Sequence, residues 1–343
     1  MKKQRQKIVL AGCGMASAGW LEVAQARKDA EVVGLVDLNP EAARARAEAF
    51  KLTDAVLGSD LGTVLKETKA DVVFDCTIPA AHVGVVLTAL KHGCHVLGEK
   101  PLATSLSDAR RMIAAAKAAK RTYAVIQNYR YQPAIRRLKA FLESGKIGEV
   151  HTIYADYFIG AHFGGFREAM DHVLLLDMAI HSFDMGRYLS GAAPTAVYCH
   201  DWNPQGSWYK GGASATAIFE MAGGVVFNYR GSWCAEGRNT GRNGQWRLIG
   251  TSGSVTWNGG EEFRAEAVKK SGGFFSEMKA VEVPERKFPK KSGGHASLIA
   301  EFLECVRTRA TPETAAADNI KSLAMVLGAV QSATQRKRVS ISF

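Results

Sequence analysis

Between residues 7 and 126, short unbroken apolar runs alternate with alanine-rich amphipathic stretches. This alternation limits the possible folds more than any other feature of the chain. KIVLAG, AEVVGLVD, DVVFDCTIP, HVLGEKP and TYAVIQNYR are the apolar runs, and EAARARAEAF and ARRMIAAAKAAK are two of the stretches between them. A strand that reads apolar on both sides has to be buried on both faces. That happens in a parallel sheet covered above and below by its crossover helices. The reading is therefore a doubly wound α/β domain over residues 1–126.

The turn after the first run reads GCGMAS. Gly12 permits a tight turn, and Gly14 lets the backbone approach a pyrophosphate. Met15 and Ala16 open the helix whose N-terminus would hold it. A GxG is informative here because it follows a strand and starts a helix. The third glycine of the dinucleotide fingerprint is replaced by Ser17, which is small enough to keep helix and sheet close. The second run ends at Asp37. A carboxylate there can accept from both hydroxyls of an adenosine ribose and would repel a 2′-phosphate, so NAD is expected over NADP. Arg44 and Arg46 are near in sequence, and helical phasing does not say where they point. In CTIPAAH, Pro79 is read as starting a helix, and Thr77, Ile78 and Pro79 fall at the C-terminal sheet edge where ligands collect. His82 either touches the pyrophosphate or ribose or is an ordinary surface histidine. HVLGEKP puts Glu99 and Lys100 at the same edge. These two are either a solvated turn or a lysine oriented by its neighbouring carboxylate.

From residue 127 the texture changes. After NYRYQPA and a helix, HTIYADYFIG, TAVYCHDW, ASATAIFEM, GVVFNYRGSW and QWRLIGTSGSVTWN alternate in polarity and are punctuated by glycine-rich turns. Residues 127–343 are thus expected to form an α/β domain on an open, mostly antiparallel sheet. Its second face would be available to a partner subunit. HASLIAEFLECVRTR and TAAADNIKSLAMVLGAVQSATQ read as helices, and residues 312–337 are expected to pack back near the first domain. LLLDMAIHSFDMGRYL is helical in period yet carries Asp177, His181 and Asp184 at spacings that share one face. A histidine flanked by carboxylates suits a general base. A buried structural histidine and a metal site are the rivals. No further His or Cys cluster supports a metal, so none is expected.

The formal charge of +11 arises from 44 basic and 33 acidic residues. Dense basic runs occur only near the N-terminus, at 286–291 and at 336–338. No zinc-finger spacing or aromatic RNA-binding motif accompanies them, so nucleic acid is not an expected partner. No apolar run approaches the length of a membrane span. The basic start MKKQRQKIVLAGCG runs directly into a glycine turn and is read as a strand, not a secretory signal. Six scattered cysteines without a CxxC pair fit free thiols in the cytoplasm.

Taken together, GCGMAS at 12–17, CTIPAAH at 76–82, GEKPLA at 98–103, QNYRYQP at 127–133 and DMAIHSFD at 177–184 resemble the glucose-fructose oxidoreductase, inositol dehydrogenase and rhizopine-catabolism (Gfo/Idh/MocA) family. The resemblance covers nearly the whole chain. It implies a Rossmann domain followed by an open-sheet α/β domain, NAD as cofactor, and oxidation of a secondary hydroxyl of a sugar, inositol or related polyol. It also implies a homo-oligomer, dimer or tetramer. By position, Lys100 matches the lysine that hydrogen-bonds the reacting oxygen, and Asp177 and His181 match the acid–histidine pair, the histidine being the proton acceptor. The chain departs from the family pattern at Ser17 and at Trp20, where a histidine is often found. Tyr129, Arg130, Asp156, His162, Arg167 and Trp208 are the candidate substrate contacts. The loops FIGAHFGGFREAMDH and GSWCAEGRNTGRNGQW suit a sugar pocket or an ordinary exposed connection. Two other activities stay open: NAD-assisted glycoside cleavage without net redox, and a dinucleotide-sensing binding protein without turnover.

Overall fold

The computed structural model describes residues 5–343; the basic pair at positions 2 and 3 lies outside them. The chain divides into two compact units. One comprises Met1–Tyr131 with Gly293–Ile320, the other Gln132–Ser292 with Lys321–Phe343.

In the first unit, β1 (Gln6–Ala11), β2 (Ala30–Val36), β3 (Val56–Gly58), β4 (Val72–Asp75), β5 (His95–Gly98) and β6 (Tyr123–Val125) form one sheet in the order β3-β2-β1-β4-β5-β6. Every pairing is parallel. The crossovers are α1 (Ser17–Gln25), α2 (Pro40–Ala49), α3 (Leu61–Thr68), α4 (His82–Lys91) and α5 (Leu106–Ala119). Ile8, Leu10, Val72, Phe74 and Leu97 are fully buried, as continuous apolar strands require. The strand order reverses between β1 and β4, which opens a crevice at their C-terminal ends. The helix starts are locally encoded: Asn39, Asp60 and Ser105 each accept a backbone N–H as N-caps of α2, α3 and α5.

The second unit opens with α6 (Pro133–Glu143) and β7 (Val150–Phe158). A π-helical turn over Leu174–Ala179 continues into α7 (Ile180–Ser190). Then follow β8 (Pro194–Trp202), β9 (Ser214–Met221), β10 (Val226–Ser232), β11 (Gln245–Gly250), β12 (Gly253–Trp257), β13 (Phe263–Lys270) and β14 (Glu277–Val281). The chain ends with α8 (His295–Thr308), α9 (Ala316–Gln335) and β15 (Val339–Ser340). The second sheet has nine strands in the order β14-β13-β12-β11-β7-β10-β9-β8-β15. Only β10 with β7 is parallel. One face is buried under α7, where Phe183 meets Phe219, Phe227 and Tyr229 edge-on. The other carries the exposed side chains Tyr154, Tyr198 and Ile218.

The structure adds to the sequence reading at three points. The first unit runs to Tyr131, where the sequence reading expects a boundary at 126, and it also takes in Gly293–Ile320. Leu298, Ile299, Phe302 and Leu303 of α8 join the core built by Trp20, Leu21 and Phe74, an apolar stripe whose partner no local pattern announces. α4 begins at His82, and Pro79 lies in the turn before it. Strand β13 alternates buried Ala265 and Ala267 with exposed Arg264 and Glu266, a weak signal carried by small residues, and β14 is almost wholly exposed, so the sequence reading assigns no strand to either.

Candidate functional site

In the first unit the glycine turn sits on the C-terminal edge of the sheet. Gly12 has φ +90°, and a Cβ there would lie 2.6 Å from the Cys76 carbonyl carbon and oxygen. Only glycine lets β1 turn this close to the end of β4. Gly14 has open space around it, with no atom within 4 Å of a Cβ position. Ser17 is buried, and its hydroxyl donates to the Gly14 carbonyl at 2.6 Å. The replaced glycine therefore costs no orphaned hydroxyl. Arg46 reaches back to donate to the carbonyls of Gly14 at 2.8 Å and Cys13 at 3.3 Å, while Arg44 pairs with Glu41 at 2.9 Å. Burial and then Asp37 push the Cys13 thiol up to about 11, so it is no nucleophile.

Asp37 lies just past β2. It accepts from the Cys13 N–H at 2.7 Å and the Asn39 N–H at 2.8 Å, each oxygen keeping a further lone pair. Met15 (91% exposed), Leu38 (90%) and Ile78 (69%) are large apolar side chains left in the open along this edge. An open glycine cradle, uncapped N–H groups at the start of α1 and a carboxylate one strand away fit a dinucleotide.

Thr77 donates from its hydroxyl to Asp75 Oδ1 at 2.5 Å, and His82 Nδ1 lies 2.9 Å from Asp75 Oδ2. His82 is buried, which excludes the surface reading; it braces the loop from beneath. Among the described residues its Nε2 is buried with no hydrogen-bond partner. Glu99 accepts from the Trp20 indole at 3.1 Å and from the Lys100 backbone N–H at 3.1 Å. Trp20 thus holds the carboxylate beside Lys100 in a fixed orientation. Arg130 is buried and pairs with Glu313 at 3.9 Å, tying the returning segment to this unit. Tyr129 lies beside it in a short 3-10 turn, Asn128–Tyr131.

In the second unit the π-turn carries Asp177, and α7 carries His181 and Asp184. Asp177 accepts from Arg167 Nε at 2.7 Å. The Arg167 guanidinium also stands over the rings of Phe163 and Phe166. His181 is 7% exposed. Asp184 is fully buried; it accepts from Ser322 Oγ at 2.8 Å and faces Arg187 at 3.7 Å. It anchors α7, a use of its charge that helical spacing alone could not separate from catalysis. The π-turn widens the helix where Asp177 emerges, a distortion often found at functional sites.

His162 stacks on Trp208, ring centroids 3.7 Å apart, and pairs with Glu236 at 2.9 Å. The Trp208 indole donates to the Ala161 carbonyl at 2.9 Å. Asp156 stands elsewhere. It forms a two-pronged ion pair with Arg230 on the face of the sheet that alternates away from the buried Ala155 and Tyr157, opposite the side covered by α7. A strand reverses facing at every residue, and the sequence pattern left that phase open. The sequence reading did not single out His172, which pairs with Asp201 at 2.5 Å; the nearest signal was its place directly before the apolar helical run. Among the described residues no helix is long and apolar enough to cross a membrane, and no three His, Cys, Asp or Glu side chains gather as metal ligands would.

Residues 6–127 match the model of an oxidoreductase family with an NAD-binding Rossmann fold, and residues 135–256 match the GFO/IDH/MocA C-terminal domain. D-apiose dehydrogenase of Paraburkholderia graminis is 26% identical over 98% of this chain and 90% of its own. An oxidoreductase from Agrobacterium radiobacter, crystallised with NAD+, L-tartaric acid and magnesium, superposes with a TM-score of 0.85 at 22% identity, over 98% of both chains. The WlbA dehydrogenase of Bordetella pertussis, in complex with NADH and UDP-GlcNAcA, gives 0.81 at 21% identity, over 99% of this chain and 100% of its own.

Proposed function

Since the chain belongs to the Gfo/Idh/MocA oxidoreductase family, we propose that it oxidises a secondary hydroxyl of a sugar, inositol or related polyol with NAD. The observation that carries this reading is the Asp177–His181 pair on one helical segment, a mostly buried imidazole four residues from a carboxylate that is itself held by Arg167. The relatives that match over most of the chain, D-apiose dehydrogenases among them, support a sugar-like substrate.

Bound nicotinamide supplies the hydride acceptor. The chain's own residues do the rest. Gly12, Gly14, Met15 and Ala16 with the start of α1 hold the diphosphate, and Asp37 takes the ribose hydroxyls and disfavours a 2′-phosphate. Thr77, Ile78 and Pro79 line the same edge, with His82 bracing Thr77 through Asp75. Lys100, set by Glu99, stabilises the oxygen as negative charge grows on it. His181 accepts the hydroxyl proton, and Asp177 keeps the imidazole oriented. Tyr129, Arg167, His162 and Trp208 are the substrate contacts retained. The row Tyr198–Ile218–Asn228–Tyr154 across the second sheet, exposed at its three apolar members, supports a homo-oligomer built on that face. Among the described residues Cys13, Cys76, Cys94, Cys199 and Cys234 form no disulfide, which supports a reducing, cytoplasmic setting.

The test is a panel of sugars and polyols with NAD, followed by NADH absorbance. His181→Ala and Lys100→Ala are each expected to lower turnover by about 10²–10⁴-fold, with NADH affinity held within about threefold. Unchanged turnover in both variants overturns the assignment.

A further inference from the structure

A histidine occupies a backbone conformation that side chains avoid, just ahead of the turn carrying Asp177. His172 has φ +49°. Residues other than glycine persist in the left-handed region where their surroundings hold them, and such outliers cluster at functional sites. Asp201 is the group that holds this one: its Oδ2 lies 2.5 Å from His172 Nδ1. The His172 carbonyl accepts the Leu176 N–H at 3.0 Å, the first rung of the following turn.

Asp201 belongs to a row that crosses the sheet through Ala215, Gly231 and Tyr157. These three are buried, so the row faces the helix-covered side. The clasp has little slack. A Cβ on Gly212 would fall 2.2 Å from Asp201 Oδ2, and one on Gly211 would fall 2.3 Å from the Met170 carbonyl. A carboxylate on Nδ1 orients the ring and leaves Nε2 for other work. No described residue partners that Nε2, and it is not among the buried atoms left without a partner, so it is open to solvent. Its position in the chain matters as well. The Arg167–Asp177 bond closes a loop with His172 at its midpoint, and exposed Phe163 and Phe166 stand beside Arg167. Aromatic faces with a few fixed polar groups suit a ligand that has apolar C–H faces and a rim of hydroxyls.

We propose that His172 contacts the substrate and sets specificity: its Nε2 hydrogen-bonds a polyol hydroxyl away from the reacting carbon, with Asp201 as the positioning residue. This rests on the polyol reading above. The competing role is purely structural, a tie between the turn and β8.

His172→Gly separates the two roles, because glycine suits φ +49° and removes the ring. His172→Asn is the second variant, since asparagine tolerates this backbone and is too short to reach a ligand. The probes are myo-inositol and D-glucose, with NAD for turnover and with NADH present for calorimetry. Expected for His172→Gly is an unfolding midpoint at or near the wild-type value. KM and the calorimetric Kd should rise about ten- to a hundredfold while kcat changes less than about threefold. Added imidazole should restore part of the loss. If the glycine variant unfolds, the asparagine variant decides by the same constants. Wild-type affinity in a folded variant overturns the assignment of His172 and leaves the polyol reading standing. A wild-type protein that neither binds nor oxidises either probe overturns this proposal and counts against the polyol reading as well.

Discussion

Gly12 and Gly14 stand two residues apart in one turn, and the structure assigns them opposite sensitivities. An alanine Cβ at Gly12 would meet backbone atoms at 2.6 Å from the Cys76 carbonyl group and 2.7 Å from the Thr77 nitrogen, and φ is +90°. Backbone cannot swing aside as a side chain can. The Cys76 N–H donates to Ala11 at 2.7 Å and the Gly12 N–H to Val36 at 2.8 Å, so separating the two segments strains both bonds. A left-handed conformation costs a residue with a Cβ about 1–2 kcal/mol, and overpacking adds about 1–3 kcal/mol. Gly12→Ala should therefore lose about 2–5 kcal/mol, which lowers Tm by about 4–20 °C for a unit of this size. NADH affinity should fall with it, by about tenfold or more. At Gly14 nothing lies within 4 Å and φ is not positive. Gly14→Ala should stay within about 0.5 kcal/mol of wild type and still weaken NADH, because its methyl projects into the space the diphosphate needs. Thermal unfolding and NADH fluorescence titration of the two variants supply the four numbers. Equal losses of stability would refute the reasoning, as would a Gly14→Ala protein with wild-type NADH affinity.

Two further outcomes follow from single residues. Asp37→Ser should weaken NADH about tenfold or more and narrow its advantage over NADPH; an unchanged ratio of the two dissociation constants removes Asp37 from cofactor selection. His95 is held down from 6.5 to about 4, first by burial and then by Arg121. Its Nδ1 accepts the Thr122 N–H at 2.9 Å, a bond that protonation destroys. A base depressed in the fold gives stability that is complete above about pH 6.5 and drains as pH falls towards 4. The ring is partly exposed, so screening reduces this to about 1–2 kcal/mol. In urea unfolding, the gap between wild type and His95→Gln should narrow from pH 7 to pH 4; a constant gap counts against a histidine held neutral in the fold.

Much of the architecture was legible before the structure because it is written in local patterns. Unbroken apolar runs separated by amphipathic stretches call for a parallel sheet, and β1, β2, β4, β5 and β6 lie where those runs are. The glycine turn followed a strand and opened a helix as its spacing required. The mostly antiparallel second sheet was legible for the same reason, since β7 to β12 alternate.

Long-range pairing was a different matter. The sequence offered Asp156 as a substrate contact, Asp177 as the partner of His181 and Asp184 as a second carboxylate on the same helix face. The fold gave one to Arg230 on the outer sheet face, one to Arg167, and one to a buried Ser322 bond. His82, read as either a cofactor contact or a surface histidine, and Arg130, read as a substrate contact, are buried on Asp75 and Glu313. α8 reads as a helix of the second domain, yet it completes the core of the first. Periodicity reports which face of an element is apolar. It does not report what that face will meet, and a charged side chain takes its role from the partner that tertiary packing brings within hydrogen-bond reach.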